Sequence, residues 1–201
     1  MAGLIKTAWL VAGIVLILLI ALELASSLLL TIKHALVPIQ DQRVHADAYG
    51  SADWIDAYFD ELKMASITRW RPYVYWRRKP FSGRYINIDQ NGLRRTSYQE
   101  TEADRLDIFI FGGSSIWGNG VRDEYTIPSL LGKKLLEQGI RNKVTNFGED
   151  GYVSTQEIIE LVLQLQRGNT PDLVIFYDGV NDTFSGLQNG FAGLPQNEWN
   201  R

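Results

Sequence analysis

The chain has no cysteine. A disulfide, a thiolate metal site and a cysteine nucleophile are therefore all excluded. Histidine is nearly as scarce: only His34 and His45 are present, too few for a histidine-rich metal site. No internal repeat and no low-complexity stretch is visible. What is there is ordinary: 201 residues, 45% hydrophobic, 21% charged, with a formal net charge of -3. That balance belongs to a folded protein, not to a disordered chain or one that coats nucleic acid. No cofactor and no metal is implied.

One long apolar run stands at the N-terminus. From Ala8 to Leu30 the chain reads AWLVAGIVLILLIALELASSLLL, with Glu23 its single charge. About 23 residues make roughly 35 Å of helix, enough for a bilayer core of about 30 Å. A cleaved signal peptide has a shorter apolar region, about 7–15 residues. Ala25-Ser26-Ser27 could serve as a cleavage site, yet apolar LLLTI continues beyond it. The expectation is a retained anchor that places residues 8–30 in the lipid bilayer. Lys6 precedes the span while Lys33 and Arg43, offset by Asp41, follow it, so charge alone barely orients it. An uncleaved N-terminal anchor usually leaves the bulk outside, which predicts a periplasmic or extracellular main domain. A carboxylate within the span is costly. Glu23 either reaches the interface or faces a partner helix, and the second option implies membrane-protein partners.

The sequence divides into an anchor (1–32), a linker with an amphipathic helix (33–68), an extension (69–104) and an α/β domain (105–201). Pro38 is expected to end any helix leaving the membrane. Between Ala52 and Ile67, the residues Ile55, Tyr58, Phe59, Leu62 and Ile67 recur at helical spacing. Next comes RWRPYVYWRRK, Arg69 to Lys79, with five basic and four aromatic residues. Such interleaving can bind single-stranded nucleic acid, but the acidic balance and the preceding anchor argue for no nucleic acid. Phospholipid headgroups or an anionic glycan suit it, and so does a plain strand with Trp70, Val74 and Trp76 on one face. YINIDQNGLRR alternates from Tyr85 to Ile88 into Asn91-Gly92, a hairpin signal.

From Arg105 onward strands and helices alternate. LDIFIF (106–111) reads as a buried strand, 125–139 as a helix, 141–147 as a strand, and PDLVIFYD (171–178) as another buried strand. Between the last two strands, 154–168 reads as a helix that opens on a capping box of Ser154 and Glu157. The series predicts a parallel sheet covered by helices, in order 2-1-3, with its site at the carboxyl ends of the strands. Three loops fall there: GGSS (112–115), NFGEDG (146–151) and DGVND (178–182). The first offers a serine hydroxyl, from Ser114 or Ser115 on spacing alone. The second offers glycine amides, and the third offers the side-chain amide of Asn181. A nucleophilic oxygen with donors aimed at one point suits acyl transfer. Glu149, Asp150 and Asp182 read as solvated loop carboxylates, and Asp178 as a support of its loop.

Together the three loops resemble blocks I, II and III of the SGNH (GDSL-type) hydrolase superfamily over residues 85–182. That resemblance implies a flavodoxin-like α/β fold, of which this chain holds the N-terminal part. It implies Ser114 as nucleophile where FGGSS replaces Gly-Asp-Ser. Gly151, not Gly148, matches the oxyanion glycine, and Gly179 and Asn181 fill the GVND block. RYINIDQNGLRRT and the anchor resemble bacterial membrane-anchored members. The family's Asp-x-x-His block has no counterpart, since neither His34 nor His45 sits in that context. LVIFY would stand as an open sheet edge, so either a C-terminal half or another chain is expected to cover it. The expected function is a membrane-anchored serine ester hydrolase or acyltransferase acting on an ester-bearing envelope glycan or lipid. The alternative is a catalytically inactive SGNH-like subunit of a membrane complex.

Overall fold

In a computed structural model the structure describes residues 2–36, 41–50, 52–102 and 104–200. The expected helix stop at Pro38 lies outside them. The chain forms two compact units, Met1–Gly50 and Ser51–Arg201.

The first unit is dominated by α1 (Ala2–Leu36). Its stretch Ile5–Lys33 has a mean hydropathy of 2.6 and is long and apolar enough to cross a membrane. At 1.5 Å per residue those 29 residues span about 44 Å. Two 3-10 turns follow, Gln42–His45 and Asp47–Tyr49; Asp41 caps the first by accepting the Arg43 amide at 3.0 Å.

In the second unit, α2 (Ile55–Ala65) turns Ile55, Tyr58, Phe59, Leu62 and Ala65 inward, the i, i+3, i+4, i+7 stripe its sequence carries. Ile67, expected on that stripe, falls beyond the helix end and is half exposed. The basic-aromatic segment is a hairpin and not one strand. In it β1 (Thr68–Arg71) pairs antiparallel with β2 (Tyr75–Arg78), Trp70 opposite Trp76. The short connection is turned by Tyr73 and Tyr75 in the left-handed region, at φ 70° and 69°. Trp70, Val74 and Trp76 therefore share no common face: Trp70 is exposed and Val74 fully buried. A second pair joins β3 (Phe81–Ser82) to β4 (Asn87–Ile88). The expected Asn91-Gly92 turn forms just beyond, closed by the Ile88–Arg94 bridge with Gly92 at φ 84°.

The sheet has three parallel strands in the order β6-β5-β7: β5 (Leu106–Gly112) lies between β6 (Asn142–Asn146) and β7 (Leu173–Tyr177). This is the 2-1-3 order. Side chains alternate across β5. Ile108 and Ile110 pack with Val144 against Leu131 and Leu135 of α4 (Ile127–Glu137). Phe109 and Phe111 pack with Phe147 against Leu161 of α5 (Ser154–Gln166). Helices thus cover both faces of the central strand.

Two expectations fail here. β7 is not a buried strand: Leu173, Phe176 and Tyr177 are exposed, because no strand among the described residues pairs on its far side. The Ser154–Glu157 capping box is also absent. The N-cap is Val153, whose amide donates to Gln156 Oε1 at 3.3 Å. The Ser154 hydroxyl donates instead to Asp182, a charged and therefore stronger acceptor.

Phe111 is fully buried and stacks on Phe147 at 4.8 Å and on Phe176 at 5.1 Å. Phe111→Ala is expected to cost about 3–5 kcal/mol, the usual range for a buried aromatic. Phe176→Ala, at a site 42% exposed, should cost well under half of that. Urea unfolding of the detergent-solubilised protein, followed by tryptophan fluorescence, checks the ranking; equal costs would contradict this account of the core.

Candidate active site

The end of β5 becomes a tight turn into α3 (Ser114–Trp117), with Gly113 as its N-cap and left-handed Gly118 (φ 93°) closing it. A four-residue helix has little stability of its own. Trp117 fixes it: the indole is fully buried between the guanidiniums of Arg78 and Arg94, 3.8 and 4.4 Å from its ring centre. Ser114 is thereby held half-buried at the turn, while Ser115 is exposed.

Asn181 sits in the first turn of α6 (Val180–Asn189), behind Gly179 at φ 124°. Its Nδ2 donates to the Tyr152 carbonyl at 2.7 Å. The same nitrogen packs against the Gly113 Cα so closely that a Cβ there would collide with it. Glycine at 113 is thus what lets the Asn181 amide reach the serine turn. Ser114 and Asn181 line one small cleft of about 110 Å³, together with Tyr152, Asp178 and Asp182. A primary amide has two N–H groups; one is spent on Tyr152, which leaves one for a ligand.

Gly151 is placed differently. It has φ 76° and lines a neighbouring cleft of about 430 Å³ with Trp76, Arg78 and Glu149. The second loop borders the serine's cleft through Tyr152, one residue further on. A larger groove, about 1050 Å³, runs along the sheet past Asp107, Phe109, Thr145 and Phe147 and is not lined by the serine.

Contrary to expectation Glu149 is not solvated, and the partly exposed Asp150 and Asp182 are held by hydrogen bonds. Glu149 is fully buried, accepting from the Arg78 amide at 3.0 Å and from its Nε at 3.2 Å. Burial pushes the Glu149 carboxyl up, against the pull of Arg77 and Arg78. Asp150 accepts from Arg78 Nη2 at 2.5 Å and Asn119 Nδ2 at 3.1 Å. Asp182 accepts the Ser154 amide at 3.1 Å as well as its hydroxyl. Their partners lie far away in sequence, so the loop itself carried no sign of them.

Glu157 escaped the sequence reading because a glutamate in a helix's first turn looks like a cap. It is fully buried, and neither carboxylate oxygen accepts an N–H or O–H among the described residues. Burial pushes it up to about 10, aided by the contact with Asp178 and by the charges of Asp178 and Asp182. Burial and the neighbouring carboxylates both favour its neutral form. Both histidines, His34 and His45, belong to the first unit, and nothing in the second is an imidazole. Among the described residues no cluster of His, Cys, Asp or Glu is placed to hold a metal ion.

Solved structures similar to this chain include AlinE4, described as a SGNH-hydrolase family esterase. It matches at 24% identity with a TM-score of 0.38, over 46% of this chain and 47% of that one. Two mutants of the same esterase match at 24% and 22% identity, with the same coverage and TM-score. The chain thus spans about half the length of these structures. No protein-family model and no curated protein matches it.

The raised Glu157 group makes stability fall with pH. Between about 4.5 and about 10 the folded state keeps a proton that the unfolded chain releases, so stability is lost as pH rises through that window. Glu157→Gln should remove the slope: the mutant gains on the wild type from pH 5 to pH 9, read as a widening difference in Tm. Parallel Tm curves would mean that Glu157 ionises normally.

Proposed function

We propose that the protein is a membrane-anchored serine ester hydrolase or acyltransferase of SGNH type, with α1 in the bilayer and the second unit on the periplasmic or outer side. The observation that carries the reading is the meeting of Ser114 and Asn181 in one cleft, at the carboxyl ends of adjacent parallel strands β5 and β7. Sites in open α/β sheets form at such ends.

In the proposed reaction the Ser114 oxygen bonds to the carbonyl carbon of an ester, and the carbonyl π electrons move onto its oxygen. The free N–H of Asn181 and the amide of Ser114 receive that oxyanion. Collapse breaks the bond to the alcohol and leaves an acyl-serine. Water then releases an acid, or an acceptor alcohol releases a new ester, and the serine is restored. The serine proton passes to an imidazole supplied from outside the second unit and returns to the leaving alcohol. The anchor and the basic-aromatic hairpin support an envelope substrate, an O-acylated glycan or a lipid.

A second reading rests on one observation: the apolar stretch Ile5–Lys33 carries the carboxylate of Glu23. On it the fold is a catalytically inactive subunit of a membrane complex, with Glu23 facing a partner helix.

Labelling by a fluorophosphonate probe in detergent separates the two. The hydrolase reading expects labelling that disappears in Ser114→Ala and slows about 100-fold in Asn181→Ala, the usual loss for one oxyanion donor. Well-folded protein that stays unlabelled would favour the inactive subunit.

A further inference from the structure

The hairpin β1–β2 precedes the sheet in sequence and belongs to none of the three loops at its carboxyl end. It is nonetheless bonded to the second loop residue by residue. Arg77 Nη1 donates to the carbonyls of Phe147 at 3.1 Å and Gly148 at 3.2 Å. Arg78 grips Glu149 and Asp150, and Trp76 Nε1 donates to the Asp150 carbonyl at 3.0 Å. Gln156 Nε2 donates back to the Val74 carbonyl at 2.8 Å. Arg77 and Arg78 are 0% and 2% exposed.

Tyr152 is the joint of this assembly. Its hydroxyl donates to the Trp76 carbonyl, and its ring meets the Trp76 indole edge-on at 5.5 Å. Its own carbonyl accepts Asn181 Nδ2. A continuous chain of bonds therefore runs from the hairpin backbone through Tyr152 to the side-chain amide at the serine.

We propose that the β1–β2 hairpin is a positioning element for the serine's cleft, acting through Arg78 on the Glu149–Gly151 segment and through Tyr152 on Asn181. The role at the cleft rests on the reading of Ser114 and Asn181 given above; the clamp itself does not. Two physical facts support the assignment. Buried ion pairs add little to stability compared with apolar packing, yet they fix direction. Oxyanion donors work only when held within about 0.5 Å of their productive place. A loop with glycines at 148 and 151 cannot hold that tolerance alone.

The test uses the full chain in detergent, with Tyr152→Phe, Arg78→Met and Arg78→Lys. Hydrogen–deuterium exchange of the peptide covering residues 147–152 should quicken at least tenfold in Tyr152→Phe and Arg78→Met. Exchange in β5 and α4 should stay unchanged, and Arg78→Lys should lie between. Fluorophosphonate labelling of Ser114 should slow at least tenfold in the same two variants through its inactivation rate constant, with the probe's apparent affinity unchanged. Unchanged exchange at 147–152 in Tyr152→Phe overturns the proposal even if Arg78→Met fails to fold. Acceleration spread evenly over residues 51–201 does so too, since it marks a general loss of stability. If the wild type is not labelled at all while local exchange responds as expected, the clamp stands and the esterase reading falls. Labelling that is present but indifferent to both variants removes the positioning role.

Discussion

Two arginines buried side by side tie the hairpin to the second loop at the carboxyl end of the sheet. Taking a guanidinium out of water costs several kcal/mol unless a carboxylate and carbonyls replace the lost hydration. Arg77 and Arg78 find those partners in Glu149, Glu160, Asp150 and the carbonyls of Ala65, Phe147 and Gly148. The hairpin cannot leave without separating four ion pairs among these five charged side chains. An extension that precedes the α/β unit in sequence is in this way made part of it. Arg78 serves twice, since its planar face also covers the Trp117 indole that pins the serine turn.

Close approach of backbones is the second constraint. At Gly148 a Cβ would run into the backbone nitrogen of Trp117, and at Gly113 it would run into the Asn181 amide. All three loops meet because two of them lack side chains at the points of contact. The same packing leaves β7 as the weak side: its outer edge and the apolar residues Leu173, Phe176 and Tyr177 face outward. Exposed apolar strand edges attract pairing partners.

Much of the fold was legible because it depends on local periodicity and turn chemistry. The strands at 106–112 and 173–177 follow from apolar runs bounded by Gly and Pro, and that at 142–146 from its β-branched pair Val144 and Thr145. The helices over 127–137 and 154–166 follow from their apolar stripes. The gathering of Ser114 and Asn181 followed from the rule that sites form at the carboxyl ends of parallel strands. What escaped was non-local. A glutamate such as Glu149 reads as solvated unless Arg78, some seventy residues earlier, is known to face it. Glu157 looked like a cap because the carboxylates that act on it, Asp178 and Asp182, lie in a later loop. The basic-aromatic run Arg69–Lys79 alternates like a strand, but the left-handed turn at Tyr73 folds it back on itself.

The sequence by itself determined the elements: an apolar N-terminal helix, a β-rich extension and a β-α-β-α-β series with a serine, glycines and an asparagine in its loops. These are short-range properties, written in hydrophobic spacing and in the conformational tolerance of Gly, Asn and Pro. Only the tertiary structure decided which loop residue borders the serine, Tyr152 in place of Gly151, and which carboxylates are buried. It alone turned a run of arginines into the clamp of the second loop. Charge and hydrogen-bond partnerships form between segments distant in the chain, and desolvation strengthens them only after the fold has brought those segments together.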